Sequence, residues 1–306
     1  MNSIGKAMEQ IPDYPQFSAL DFEHKAFFDQ AFKKLPPRIS EFTFTNLFSW
    51  REAFNYEASI LEGAIIIRLG IGRPARFLQP IGATEPAKII GRVLEDTKGL
   101  FMRIPEDTAG SLNKSSRFEV EEDRNNWDYL CLLSDLVNLP GRKYDGKRNQ
   151  IKKFKSEYNY VYVDINAAEA ALILEFEEAW CAIKDCEHTE GLDNERRTLH
   201  QIIGHFKDFG VRAGAIKVDG KIRAAAIAEA LNPDTLVMHT LKADPALKGL
   251  YQVMLNEFLS ARKENFKYVN LEQDLGIAGL RASKQSYHPV SMVKKYTVSL
   301  KNQNVF

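Results

Sequence analysis

Three carboxylates in the last third of the chain stand where acid–base chemistry is possible. Glu229 lies on a predicted strand over 221–231 and shares a face with Ala225 and Ile227. A carboxylate among apolar neighbours is poorly hydrated, so its pKa rises and it can act as a general base toward an attacking amine. The alternative is that Glu229 reaches solvent at the strand end or pairs with a lysine. Glu272 and Asp274 follow a second predicted strand, 266–271, at its C-terminal end, where ligand sites of α/β sheets gather. There they can orient an amino group or a ribose hydroxyl. Asp274 is equally suited to cap the helix that begins near Gly276, whereas Glu272 does not occupy a capping position. Tyr287 ends that helix, and its phenol, with a pKa near ~10, can serve as a proton donor. Lys284 and Arg281 on the same helix can meet a phosphate. The alternative for these three is a tyrosine packed under Pro289 beside two solvated cations.

Two further features suit anions. Ala246-Leu247-Lys248-Gly249-Leu250-Tyr251 joins a strand to a helix. Its backbone N–H groups and the helix dipole can hold a phosphate, with Gly249 permitting close approach; otherwise it is an ordinary helix start. The segment 142–155 carries Arg142, Lys143, Lys147, Arg148, Lys152, Lys153 and Lys155 against one acid, Asp145. Such a helix can bind an RNA backbone, an anionic headgroup or a polyphosphate, or be a solvated charged face. The acidic stretch 169–193 is available to neutralise it.

Other chemistries are excluded. Gly141-Arg142-Lys143-Tyr144-Asp145-Gly146-Lys147-Arg148 almost spells a phosphate-binding loop, but Arg148 stands where a hydroxyl must ligate magnesium. His200 and His205 are five apart, which does not stack them on one helix face, so no metal site is expected. No serine or cysteine sits in a recognisable nucleophile setting, so direct transfer fits better than a covalent acyl-enzyme.

The elements that must position these groups follow from apolar periodicity. Helices are predicted over 21–35, 46–54, 85–96, 147–158, 167–183, 194–209, 244–262 and 276–287. Strands are predicted over 64–69, 99–104, 128–133, 160–165, 211–218, 221–231, 235–241, 266–271 and 291–298. Asp219-Gly220 is a strong hairpin signal between two of them. No internal repeat is visible.

The length of 306 residues suggests two domains, placed at 1–145 and 146–306. Forty-one basic residues balance forty-one acidic ones, so an anionic partner must use a local patch. Cys131, Cys181 and Cys186 read as reduced thiols in a reducing, cytoplasmic setting. The start of the chain lacks a signal-peptide pattern, and no apolar run approaches the ~20 residues of a membrane span.

The run from His239 through Asp244, then Lys248 to Gln252, then Val269 through Pro289 with Glu272, Asp274, Gly276, Arg281, Lys284 and Tyr287, resembles the C-terminal domain family of phosphatidylglycerol lysyltransferases. That family is related to the Fem-type nonribosomal peptidyltransferases. Phe44-Thr45-Asn46-Leu47-Phe48-Ser49-Trp50-Arg51 and Lys147-Arg148-Asn149 resemble it as well, so the likeness covers about residues 20–300. The resemblance implies an α+β fold of two tandem acetyltransferase (GNAT)-like domains, each a mixed, mostly antiparallel sheet flanked by helices. It implies that Tyr287 protonates a leaving thiolate or hydroxyl. In the donor-binding turn of the fold, Ala246 and Tyr251 depart from the usual polar and small residues.

The expected function is therefore transfer of an acyl or aminoacyl group to an amine or hydroxyl acceptor, such as a lipid or cell-wall precursor. No tightly bound cofactor is expected; acyl-CoA or aminoacyl-tRNA is the co-substrate. The chain would act in the cytoplasm or peripherally at the membrane. The competing expectation is a non-catalytic module of the same fold that binds RNA or an anionic surface. Every role rests on two C-terminal strands splaying apart to leave a slot.

Overall fold

The computed structural model describes residues 11–70, 72–189, 191–262 and 266–301. The chain divides into two compact units. The first comprises Met1–Asp128, Gln273–Ile277 and Val293–Phe306, and the second Tyr129–Glu272 and Ala278–Met292.

The first unit opens with β1 (Ser18–Ala19), α1 (Lys25–Lys34) and α2 (Phe44–Phe54). Thr43 caps α2 by accepting a hydrogen bond from the Asn46 amide. The strands β2 (Tyr56–Leu61), β3 (Ala64–Leu69) and β4 (Arg76–Leu78) follow, then α3 (Pro86–Thr97), β5 (Leu100–Pro105), α4 (Glu106–Leu112) and β6 (Phe118–Glu122). Ile89, Ile90, Val93 and Leu94 recur at helical spacing on α3 and are all buried. Removing each such side chain from water contributes roughly 1.5–3 kcal/mol, which holds this helix to the sheet.

The second unit takes β7 (Asp128–Leu132), α5 (Leu133–Asn138), the basic helix α6 (Asp145–Glu157) and β8 (Tyr160–Ile165). The helices α7 (Ala171–Lys184), α8 (Leu192–Gly204) and α9 (Phe206–Phe209) lead to β9 (Arg212–Val218), β10 (Lys221–Asn232) and β11 (Thr235–Ala243). The chain continues through α10 (Leu250–Ser260), β12 (Tyr268–Asn270), α11 (Ala278–Gln285) and β13 (Ser291–Val293), and returns to the first unit as β14 (Lys295–Leu300).

Each unit is built on one mixed sheet, as the α+β expectation required. The order is β1-β2-β3-β4-β5-β14-β6 in the first and β13-β7-β12-β11-β10-β9-β8 in the second. The two orders follow one plan. Four consecutive strands meander antiparallel, a helix crosses over, and the next strand pairs parallel: β4 with β5, and β11 with β12. In each sheet the following place is filled by a strand from a distant part of the chain. β14 lies antiparallel between β5 and β6, and β7 is antiparallel to β12. A repeat thus exists in topology although none is visible in sequence.

Four expectations are corrected. The junction lies at 128/129 rather than 145/146, and the units are discontinuous, because β7 and β14 each complete a sheet begun elsewhere in the chain. The strand expected at 291–298 is two strands in two different sheets. The helix expected from 244 begins only at Leu250, because Asp244 forms its own turn by accepting a hydrogen bond from the Ala246 amide. Cys181 and Cys186 are joined as a disulfide with 5.0 Å between Cα atoms; only Cys131 is a free buried thiol among the described residues. The left-handed Asp185, at the end of α7, turns the chain so that Cys186 meets Cys181.

Candidate functional site

The parallel pair β11–β12 is short. Thr235, Leu236 and Val237 face Tyr268, Val269 and Asn270, and pairing ends there. β11 runs on to Ala243 against β10 alone, so the two strands part after Val237 and Asn270. This is the splay that the proposed chemistry requires.

Just beyond the split stand His239 and Glu272, each two residues past its strand's last pair. On the β10 side, Ile227 pairs with Thr240 and Ala228 with Met238. His239 is therefore the extra residue of a β-bulge, a device that re-aims a side chain and is frequent beside active sites. Its Nε2 lies 2.7 Å from Glu229 Oε1 and its Nδ1 3.2 Å from Glu272 Oε1. The His239 side chain is only 4% exposed, against 12% for Glu229 and 21% for Glu272. The ring is thus a bridge behind two carboxylates that lie nearer solvent. Glu272 sits in the left-handed region at φ 57°, a costly conformation for a non-glycine residue. The buried Asn270 side chain supports it there by accepting a hydrogen bond from the Glu272 amide at 2.8 Å.

Burial alone would push the His239 pKa down. The hydrogen bonds and charges of Glu229 and Glu272 outweigh it and raise the value to about 10. Glu229 is consequently not the carboxylate isolated among apolar neighbours expected from its strand pattern. It is one end of a charge-bridged triad.

Tyr287 is buried, and its hydroxyl meets no hydrogen-bond partner of proper geometry, although the Gln252 side chain faces it. Lys147 Nζ lies over the ring at 4.0 Å from its centroid. Tyr144 Oη donates to the Tyr287 carbonyl at 2.8 Å and holds the backbone in place. Burial, then the nearby Tyr251 and Cys131, keep the Tyr287 phenol well above its ordinary pKa, while burial lowers that of Lys147.

Asp274 is fully buried and, rather than capping the helix, which begins only at Ala278, holds the turn before it. Its Oδ1 accepts from the Gly276 amide at 2.8 Å, and its Oδ2 from Arg124 at 3.1 Å. Gly249 has φ +90° and precedes the first turn of α10. A Cβ there would lie 2.6 Å from the Gln150 carbonyl oxygen. The close approach that glycine permits is used by the backbone of α6. Leu250 is fully buried, Leu247 and Tyr251 pack against the same core, Lys248 is exposed, and Lys284 is half-buried on α11.

The basic segment is divided. Arg148 is turned inward to the carbonyls of Leu139 and Gly141 and to Asp145. Lys143 reaches Asp135 at 3.5 Å, and Lys155 reaches Glu257 at 2.8 Å. Arg142 and Lys152 are exposed. A cavity of about 360 Å3 is lined by Arg148, Lys152 and Lys155 of α6 together with Leu139, Ile151 and Asn256.

His239 was not singled out as a site residue from the sequence, yet a signal existed. The Asn232-Pro233-Asp234 turn folds β10 onto β11 and brings position 239 beside position 229.

The family described as "Phosphatidylglycerol lysyltransferase, C-terminal" matches residues 32–299. A conserved protein of unknown function from Bacteroides thetaiotaomicron VPI-5482 has the same fold, with TM-score 0.86, 30% identity, and coverage of 93% of this chain and 99% of that one. L-PGS from Bacillus licheniformis aligns with TM-score 0.66 over 97% of this chain and 95% of its own, a likeness of fold at 13% identity. The uncharacterized protein MYCGA3080 of Mycoplasmoides gallisepticum is 24% identical over 195 residues, 60% of this chain and 60% of that relative's length.

Proposed function

We propose that this chain, which belongs to the family of phosphatidylglycerol lysyltransferase C-terminal domains, moves an acyl or aminoacyl group from a CoA thioester or a tRNA ester to an amine or hydroxyl acceptor. The observation that carries this reading is the parting of β11 from β12 with Glu229, His239 and Glu272 gathered at the split. The acceptor's lone pair attacks the carbonyl, a C–N or C–O bond forms, and the C–S or C–O bond to the donor breaks. The acceptor's proton leaves through the carboxylate pair, and the departing thiolate or alkoxide takes one from Tyr287. Backbone N–H groups at the split stabilise the oxyanion. Glu272, the more exposed carboxylate, orients the acceptor, and Glu229 supports it from β10. Asp274 holds the following turn. The exposed Lys248 in the turn before α10, with Lys284, receives the donor's phosphates, and the exposed Arg142 and Lys152 steer an anionic donor or surface. The acceptor class is a lipid or cell-wall precursor. No described helix is long and apolar enough to cross a membrane.

The experiment pairs a thermal-shift screen with a transfer assay. A shift with acyl-CoA assigns the thioester donor, and a salt-dependent shift with aminoacyl-tRNA assigns the ester donor. Glu272→Gln and Tyr287→Phe should each lower transfer at least tenfold; unchanged turnover in both sinks the assigned roles. One observation favours a second reading, a binding module without catalysis. The approach at Gly249 is already taken by Gln150. On that reading tRNA or anionic vesicles bind, and no donor is ever turned over.

A further inference from the structure

The geometry points to a role for His239 that the transferase reading does not contain. We propose that His239 is a positioning residue, an imidazolium that donates both ring N–H groups and holds Glu229 and Glu272 as an ionised pair across the β11–β12 split. This deepens the reading above and rests on it for its catalytic meaning, but not for its structural content.

An ionised carboxylate only accepts, so two such partners, one at each ring nitrogen, match the doubly protonated ring, the one form with two N–H groups. The distances, 2.7 Å and 3.2 Å, place an oxygen at each nitrogen. The pairing joins two elements that no longer share backbone hydrogen bonds at this point, since β11 and β12 have already parted. The bulge explains how the ring comes to lie between them: an ordinary strand residue would keep the pleat's alternation, and the extra residue at 239 breaks it. With the ring the least exposed of the three, His239 acts through the glutamates. The titratable groups seen to face it among the described residues are Glu229 from β10 and Glu272 from beyond β12; its own strand supplies none. The raised pKa of the ring agrees with this arrangement.

The test is side-chain 15N NMR of the full chain. At pH 8 the His239 ring should show two imidazolium-type nitrogens, and it should lose its proton only near pH 10. In Glu229→Gln and Glu272→Gln the loss should move to lower pH by at least one unit. A His239 ring that is neutral at pH 8 in the unmodified protein overturns the proposal, and that spectrum decides even if a variant fails to fold. In the transfer assay, His239→Gln should shift the pH profile as well as lower the rate, because the imidazolium between the two carboxylates is lost. A fall in rate with an unmoved profile would mark a merely structural role and overturns the positioning role. If the ring is an imidazolium but no donor is ever turned over, the transferase reading fails and the bridge stands.

Discussion

Lys295 is the least expected residue of the molecule. It is fully buried in the first unit, with Nζ 2.5 Å from Glu41 and 2.6 Å from the equally buried Asp128. Ser40 closes the group by donating to Asp128 at 2.8 Å, and Arg103 reaches Glu41 and Asp123 at 2.7 Å. Burial works against ionisation of Glu41, but Lys295 and Arg103 outweigh it and hold its pKa below the ordinary value. Removing one partner of such a cluster leaves uncompensated buried charge. Lys295→Met should therefore cost roughly 3–5 kcal/mol in urea unfolding; a loss below about 1 kcal/mol would show that these carboxylates are not buried as ions. The pH dependence has a definite sign. A depressed carboxyl stabilises fully above its unfolded pKa of ~4.3 and loses that contribution as pH falls through the native value. Unfolding at pH 3 should thus need less urea than at pH 6, and Lys295→Met should narrow that difference.

Tyr287 makes the opposite case. Its buried hydroxyl without a proper hydrogen-bond partner costs stability, so Tyr287→Phe should be neutral or stabilising by up to about 1 kcal/mol. Stability gained together with transfer lost is the signature of a group kept for function. If stability falls by more than about 1 kcal/mol, the hydroxyl is hydrogen-bonded to Gln252 or to water and the proposed cost of burying it is absent.

At the scale of elements, the turn into α10 is set by packing. Gly249 combines a left-handed φ with a backbone carbonyl where a Cβ would go. Gly249→Ala should destabilise the second unit by about 1–3 kcal/mol, measured by chemical unfolding. An alanine tolerated without loss would mean that α6 gives way easily, and the turn would then be open to a donor phosphate. The same comparison shows why the phosphate-site motif was ambiguous in sequence. Glycine is required both where a ligand approaches and where a neighbouring backbone does.

For the whole molecule, the exchanged strands decide cooperativity. β14 pairs with β5 on one side and β6 on the other, so the first sheet is divided without it. A chain ending at Met292 should lose the first unit's native near-UV signal and expose apolar surface to dye. A truncated chain with its first unit intact would contradict the strand order. The disulfide between Cys181 and Cys186 closes only a short local loop, so its removal should matter far less than this truncation.

Much of the fold was legible because the information was local. β3 and β8 match their predicted bounds, since a run of apolar or alternating residues declares a strand within six positions. Glu229 and Glu272 were legible as candidates from their places on and after strands, and the family resemblance from the run His239 to Pro289. Tertiary structure alone decided which distant segments share a sheet, because β7 and β14 read as ordinary strands wherever they dock. It also decided the partners of charge: Glu41 and Lys295 are 254 residues apart, and no periodicity relates them. Whether Asp274 caps a turn, Gly249 admits a helix, or His239 bridges two glutamates depends on what stands across the gap. Local sequence specifies the backbone's preference, and long-range packing chooses the neighbour.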